Sequence, residues 1–382
     1  MREAALMPRE DPMEWKLPVL QRTCAALATL VLTVLAASTA NAANPPSIAN
    51  LHTITTLSTT VPGNGDLNPY GVAQILVTKG HLVAGKFLIS NFNNTGNTQG
   101  TGTTIVEIGP NGSFDLFAQI DPAKVSCPGG IGLTTALVAL RSGFVVVGSL
   151  PTVNGAISGA GCLIVLDSWG NVVETFAGHG INGPWDMTAV DGGFIAALFV
   201  TNVLDGTVAA NGAVVNRGNV ERLLLVVPDD HAPLLVDSDV IARGFPQRTD
   251  ANALVIGATG VAFDDDSGIL YVTDPLNNRI AAIPNALFRF SPGGTGFTVF
   301  QGGKLNGPLG LALAPNGDLI AANADDGNLV EINPRTGRQV ATHLVDDTPG
   351  TPPGAGALFG LLATPEGVFF VDDDSNTFNL LH

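Results

Sequence analysis

Charge is scarce in this chain. Charged side chains make up 13% of its 382 residues, and 17 lysines and arginines face 33 aspartates and glutamates, for a formal net charge of -16. No basic surface is available to neutralise phosphates, so nucleic acid and anionic membrane are poor partners. Helical periodicity is lacking as well: beyond residue 43 no segment repeats apolar residues at helical spacing over about eleven positions, which leaves an all-β chain. There is no Gly-x-Ser-x-Gly elbow and no His-Glu-x-x-His motif, and the six histidines are scattered without metal-ligand spacing. No attachment signature for a quinone or haem is present. Tyrosine and tryptophan number only two and three. What the chain does have is a 45% hydrophobic share, enough to bury a large core, with 46 glycines and 25 prolines spread without a three-residue period. Many turns are implied.

The N-terminus reads as an export signal. Lys16 and Arg22 precede an uncharged apolar run over 24–37, and Ala40-Asn41-Ala42 offers small residues for cleavage after Ala42. The run is short for a bilayer span. Glu3, Glu10, Asp11 and Glu14 make the leading stretch acidic, and Met13 is an alternative start that would drop three of them. The expectation is a signal peptide over 1–42 and a single mature domain over 43–382, secreted or periplasmic, monomeric and free of the membrane after cleavage. Of three cysteines, Cys127 and Cys162 remain in the mature chain, either as a disulfide or as two buried thiols.

A short opening phrase recurs six times: Asn68-Pro69-Tyr70-Gly71, Gly129-Gly130-Ile131-Gly132, Asn182-Gly183-Pro184-Trp185-Asp186, Gly257-Ala258-Thr259-Gly260, Asn306-Gly307-Pro308-Leu309-Gly310 and Gly356-Ala357-Leu358-Phe359-Gly360. The intervals run from 50 to 74 residues, the size of propeller blades with four antiparallel strands each. The fourth unit predicts strands over 259–263, 269–273, 286–290 and 296–300, and the fifth predicts strands over 310–314, 319–322, 328–332 and 339–344. Pro315-Asn316-Gly317-Asp318 is a strong hairpin turn, since Asn and Gly accept positive φ at little cost. The blades fall near 67–121, 129–181, 182–245, 257–303, 305–346 and 356–381. The last is completed by a strand within 48–60, which closes the ring and removes an open sheet edge.

Gly260-Val261-Ala262-Phe263, Gly268-Ile269-Leu270-Tyr271-Val272-Thr273-Asp274 and Asn277-Asn278-Arg279-Ile280 together resemble an NHL repeat, and 310–331 is a weaker copy. The resemblance implies a six-bladed β-propeller of the broad group that holds NHL proteins, SMP-30-like and gluconolactonase-like lactonases, and strictosidine-synthase-like proteins. The lactonase branch would place a metal held by Glu, two Asn and Asp at the channel mouth; no opening phrase here contains the Glu, and Asp186 is its nearest substitute.

Function is expected at the end of the ring where blade connectors and second-to-third-strand loops emerge. The loops over 91–102, 150–161, 201–218 and 274–285 read as enlarged and nearly uncharged, suited to a neutral polar ligand or a protein partner. Tyr70, Asn91, Trp185 and Asp186 are candidate ligand contacts, with inter-blade packing as the other role for the two aromatics. Each second strand ends in a short polar residue: Asn91, Ser149, Asn202, Asp274, Asn323 and Asp372. Asn202, Asp274, Asn323 and Asp372 could supply oxygens to Ca2+, or could brace the following turns. The acidic runs 264–266, 325–326 and 372–374 read mainly as solvated turns. Ligand binding without catalysis is the first reading; a metal-dependent lactonase-like hydrolase or lyase is the alternative, with Asp186 or Asp274 as base.

Overall fold

The computed structural model describes residues 47–382 apart from 154, 229 and 230. The expected export signal lies outside the described residues. No helix among them is long and apolar enough to cross a membrane.

The chain is an all-β propeller of six sheets. Strand β1 (Ile54–Thr59) comes first. Blade 1 follows with β2 (Leu67–Gln74), β3 (Phe87–Asn93), β4 (Thr104–Ile108) and β5 (Phe114–Gln119). Blade 2 holds β6 (Gly132–Leu133), β7 (Leu137–Ala139), β8 (Val145–Val153), β9 (Ala156–Ile157), β10 (Cys162–Leu166) and β11 (Val172–Ala177). Blade 3 holds β12 (Pro184–Asp191), β13 (Ile195–Asn202), β14 (Val215–Val226), β15 (Leu234–Asp250) and β16 (Leu254–Ile256), with helix α1 (Thr207–Ala210) between β13 and β14. Blade 4 holds β17 (Val261–Asp264), β18 (Ile269–Asp274), β19 (Arg279–Ile283) and β20 (Phe297–Gln301). Blade 5 holds β21 (Pro308–Leu313), β22 (Leu319–Asn323), β23 (Asn328–Asn333) and β24 (Arg338–Leu344). Blade 6 is β25 (Leu358–Thr364), β26 (Gly367–Asp372) and β27 (Thr377–Leu381), with β1 as its outermost strand, registered from Ile54 on Leu381 to Thr59 on Thr377. The inner strands touch in turn around the ring, β2–β7, β7–β12, β12–β17, β17–β21, β21–β25 and β25–β2.

Both faces of each sheet are covered, which explains continuous apolar strands such as Phe87-Leu88-Ile89 and Val145-Val146-Val147. Side chains alternate across a strand, so Val145 and Val147 pack toward Leu88 and Ile105 of blade 1 while Val146 packs toward Leu198 of blade 3. One buried cluster fills each seam between neighbouring blades, from Leu88 with Ile164 at the first to Phe87 with Phe369 at the last. Cys127 and Cys162 are joined as a disulfide with Cα atoms 5.4 Å apart, both within the cluster shared by blades 1 and 2.

Two expectations differ from the structure. The third strand of blade 4 is β19, not 286–290, because Pro275–Asn277 forms a single 3-10 turn and Asn278 at φ 46° sends the chain straight back. Pro284 has no amide hydrogen for the ladder, Asn285 stands at φ 55°, and Ala286–Phe288 is a 3-10 turn. The insertion in this blade therefore lies between its third and fourth strands, at the end opposite the connectors, and 274–285 is not an enlarged loop at the mouth. Blade 3 also runs past 245: β15 continues through Pro246 to Asp250 and folds back as β16.

Candidate functional site

The polar residues that end the second strands are buried and engaged within the blades. Asn202 accepts the amides of Asn182 (3.1 Å) and Gly183 (3.2 Å) through Oδ1 and donates to Asn219 through Nδ2 (3.3 Å). Asn323 repeats the pattern, accepting Asn306 N–H (3.1 Å) and donating to the Lys304 carbonyl (2.8 Å) and to Asp326 (3.0 Å). Ser149 accepts Gly132 N–H (3.0 Å). In each case a side chain pins the connector that enters its own blade. Asn91 instead donates through Nδ2 to the Thr60 carbonyl (2.8 Å) and leaves its side-chain Oδ1 unpartnered. Asp274 is ion-paired with Arg279 (3.0 Å), and Asp372 accepts Ser375 N–H (3.0 Å). Burial and the neighbouring Asp346 carboxyl raise the Asp372 carboxyl to about 6.

These positions do not fit a calcium ion as a group. A guanidinium already neutralises Asp274, the oxygens of Asn202 and Asn323 face amides, and each donor acts in a different blade. Among the described residues no group of three or more His, Cys, Asp or Glu is placed to hold a metal ion. The acidic runs brace turns: Asp264 accepts Asp266 N–H (3.0 Å) and Ser267 Oγ–H (2.6 Å), and Asp326 accepts Asn328 N–H (3.0 Å).

The opening phrases meet on the axis of the ring. Four inner strands bulge at the same place, between Pro69 and Val72, Pro184 and Met187, Pro308 and Leu311, and Leu358 and Leu361. The second bulged residue is Gly71, Gly310 or Gly360 in three of them, and Asp186 in blade 3. A Cβ at Gly310 would overlap the Phe359 carbonyl oxygen, and one at Gly360 would overlap the Tyr70 carbonyl oxygen, so glycine lets adjacent inner strands touch. Asp186 bridges the same seam with its side chain, accepting Met187 N–H (2.8 Å) and Val261 N–H (3.2 Å) of blade 4. Its side chain is half-buried. Burial raises its carboxyl to about 7 despite the two amides.

The first bulged residue builds the mouth. Tyr70 of blade 1 reaches across the axis to Thr259 of blade 4, the opposite blade, with its hydroxyl 3.1 Å from Thr259 Oγ1. Trp185 Nε1–H donates to the same hydroxyl at 2.5 Å. Tyr70 stacks on Phe359 of blade 6 at 4.9 Å and meets Phe92 and Trp185 edge-on at 6.3 Å. Leu133, Leu150, Ile157, Val203, Leu204, Leu254 and Val255 complete this cluster. Burial and the Asp186 carboxylate push the Tyr70 phenol further up, so it serves as a hydrogen-bonding group and not as an acid. Thr201 Oγ1 accepts Asp186 N–H (3.1 Å) and donates to the Thr259 carbonyl (3.0 Å), which joins Asp186 to this network.

The loops close over the plug. Thr152 donates to the Gly100 carbonyl (3.0 Å), and Gln99 Nε2–H of the blade 1 loop donates to the Asn252 carbonyl (2.6 Å) at the tip of the β15–β16 hairpin. The structure thus brings Tyr70, Trp185 and Asp186 together and leaves Asn91, Asn202, Asp274, Asn323 and Asp372 in separate local roles. Phe92, Phe359, Thr259 and the hairpin residues Leu254 and Val255 escaped the sequence reading. Phe359 and Thr259 occupy the place of Tyr70 in their own opening phrases, a correspondence that aligning the phrases exposes.

The fold is shared with solved enzymes. A gluconolactonase from Xanthomonas campestris superimposes with a TM-score of 0.51 at 14% identity, over 86% of this chain and 88% of that one. The PQQ-bound form of an aldose sugar dehydrogenase from Streptomyces coelicolor gives 0.51 at 15% identity, over 88% of this chain and 99% of that one. No family model matches the chain, and no curated protein matches it. At such identities the likeness speaks for the scaffold alone.

Proposed function

We propose that this chain is an exported propeller that binds a neutral polar ligand or a protein partner on its loop-rich face without transforming it. The supporting observation is the construction of the mouth. Where a reaction centre would stand, Tyr70, Phe92, Trp185 and Phe359 form an aromatic plug, and the polar ends of the second strands are committed to their own blades. The surrounding loops offer amides and hydroxyls with little charge, which suits hydrogen bonding to a neutral partner. Export is supported by the signal-like 24–42 stretch and by the Cys127–Cys162 disulfide, which belongs to oxidising compartments.

The lactonase-like alternative draws support from the Asp186 carboxyl, poised near neutrality on the axis as a general base would be. A thermal-shift series separates the two readings. Glucose, cellobiose, gluconolactone and a neutral peptide are titrated with calcium and with EDTA. A saturable rise in melting temperature that EDTA leaves unchanged, with the compound recovered intact, supports binding. Hydrolysis of the lactone that EDTA abolishes and Asp186→Ala destroys would overturn it.

A further inference from the structure

The β15–β16 hairpin differs from the strands that build the blades. It is held by three residue pairs, Arg248 with Ile256, Thr249 with Val255 and Asp250 with Leu254. Its turn is braced internally, with Asp250 Oδ1 accepting the amides of Asn252 (2.8 Å) and Ala253 (3.1 Å). Leu254 stands at φ 61°, a left-handed conformation unfavourable for a branched apolar residue. Among the described residues a single side-chain hydrogen bond, from Gln99 to the Asn252 carbonyl, ties this hairpin to another blade. Yet Leu254 and Val255 pack into the aromatic cluster on the axis.

Apolar side chains, Val255 among them fully buried, are thus held over an aromatic floor by a small element that is strained at Leu254 and has one side-chain hydrogen bond to another blade among the described residues. Beneath it lie the phenol of Tyr70, the indole of Trp185 and one carboxyl, Asp186; no lysine or arginine belongs to the network, so an anionic ligand has no counter-charge there. The nearest cation on the hairpin, Arg248, is paired with Asp250 (2.6 Å), and both face the carboxyl of Asp325 from blade 5.

We propose that the β15–β16 hairpin is a lid, and that the pocket it vacates on the axis receives a neutral ring with one apolar face, a saccharide ring or its glycoside. The ring takes the place of Leu254 and Val255 against the aromatic floor, and its hydroxyls meet the amide-rich loops around the mouth. This deepens the binding reading above and rests on it, since the ligand enters from the same face.

Hydrogen exchange on the free protein tests the lid without any ligand. The hydrogen-bonded amides of 248–256 are expected to exchange at least about 100-fold faster than those of β13 and β14, because opening them requires no global unfolding. Gln99→Ala, a change at a half-buried loop position, should speed the hairpin amides by about 2- to 10-fold and leave β13 and β14 unchanged. Hairpin amides as slow as those of β14, or indifferent to Gln99→Ala, overturn the lid.

Phenyl β-D-glucoside then probes the pocket in a Trp169→Phe background, where Trp185 is the tryptophan of the propeller that remains. Saturable change in its fluorescence, with slowed exchange over 248–256 and tighter binding to Gln99→Ala, is the expected result. Fast hairpin exchange with no such response up to about 10 mM glucoside overturns the pocket. The two failures are distinguishable: a closed hairpin on a protein that still binds sugars in the thermal-shift series sinks the lid alone, whereas absence of sugar binding in every form sinks the loop-face reading.

Discussion

Blades 3 and 5 are built from the same four-strand unit, and they solve the same local problems differently. Blade 5 has strands of 6, 5, 6 and 7 residues, places Gly310 where its inner strand meets the next, and buries Glu331 with three partners: Ser47 Oγ, Ile48 N–H (2.9 Å) and Asn316 Nδ2 (3.2 Å). Blade 3 has strands of 8, 8, 12 and 17 residues, places Asp186 at the axial position, and buries Glu221 with its Oε2 unpartnered. Burial, with Asp239 adding to it, raises the Glu221 carboxyl to about 8. In blade 5 burial also raises the carboxyls of Asp318 and Asp325, but Asp318 accepts Asn333 Nδ2–H (2.7 Å) and both oxygens of Glu331 are partnered. Blade 3 raises two carboxyls to about 7 and about 8 and leaves Glu221 Oε2 unpartnered, a departure from local consistency of the kind that collects at functional sites.

That contrast can be broken at the axial position first. Gly310→Ala places a methyl group against the Phe359 carbonyl and is expected to lower unfolding free energy by at least about 3 kcal/mol in denaturant melts, whereas Asp186→Gly should change it by less than about 1 kcal/mol. Equal effects would show that the two positions are not equivalent. Next in size is Glu331→Gln, which pits an amide against the Ser47 and Ile48 donors and should cost about 2 to 3 kcal/mol in denaturant melts at neutral pH.

Glu221→Gln should act in the opposite direction, with a gain that grows as pH rises from 4.5 to about 8. Below the ordinary value of 4.5 the carboxyl is protonated in both folded and unfolded chains and contributes nothing. Between that value and about 8 the unfolded chain ionises while the folded one stays neutral, so the wild-type protein loses stability as pH rises through this window. The glutamine variant is therefore expected to match the wild type near about pH 4 and to exceed it by about 2 kcal/mol near about pH 9, read from melts at both. A smaller loss is expected of Trp185→Phe, which keeps an aromatic ring but removes the indole donor to Tyr70 and should lower stability by about 1 kcal/mol.

The six opening phrases made the architecture legible, because each carries the glycine or its substitute where inner strands touch, and that contact is local to the phrase. Turns such as Pro315-Asn316-Gly317-Asp318 likewise announce themselves through residues that adopt the required backbone; Gly317 stands at φ 85°. The mouth was legible only in part. Tyr70, Trp185 and Asp186 stood out as rare or discordant residues within a repeated phrase, but their mutual hydrogen bonds join blades 1, 3 and 4, and no spacing encodes which opposite blade a tyrosine will reach. Blade 4 misled because Arg279 begins a strand that its charge argues against; the ion pair with Asp274 and contact with the Phe245 ring, 5.9 Å away, are what bury it. The β15–β16 hairpin hid behind Pro246, which interrupts the apolar alternation while the strand continues through it.

The pairing of β1 with β27 has a consequence for biogenesis. Ile54 finds its partner at Leu381, so among the described residues the first strand to be synthesised waits for the last. A contact between such distant positions demands a large loop-closure entropy before it returns any stabilisation. A shortened product that lacks β27 leaves the borders of β1 and β26 unmatched, two strand edges open to pairing with other chains.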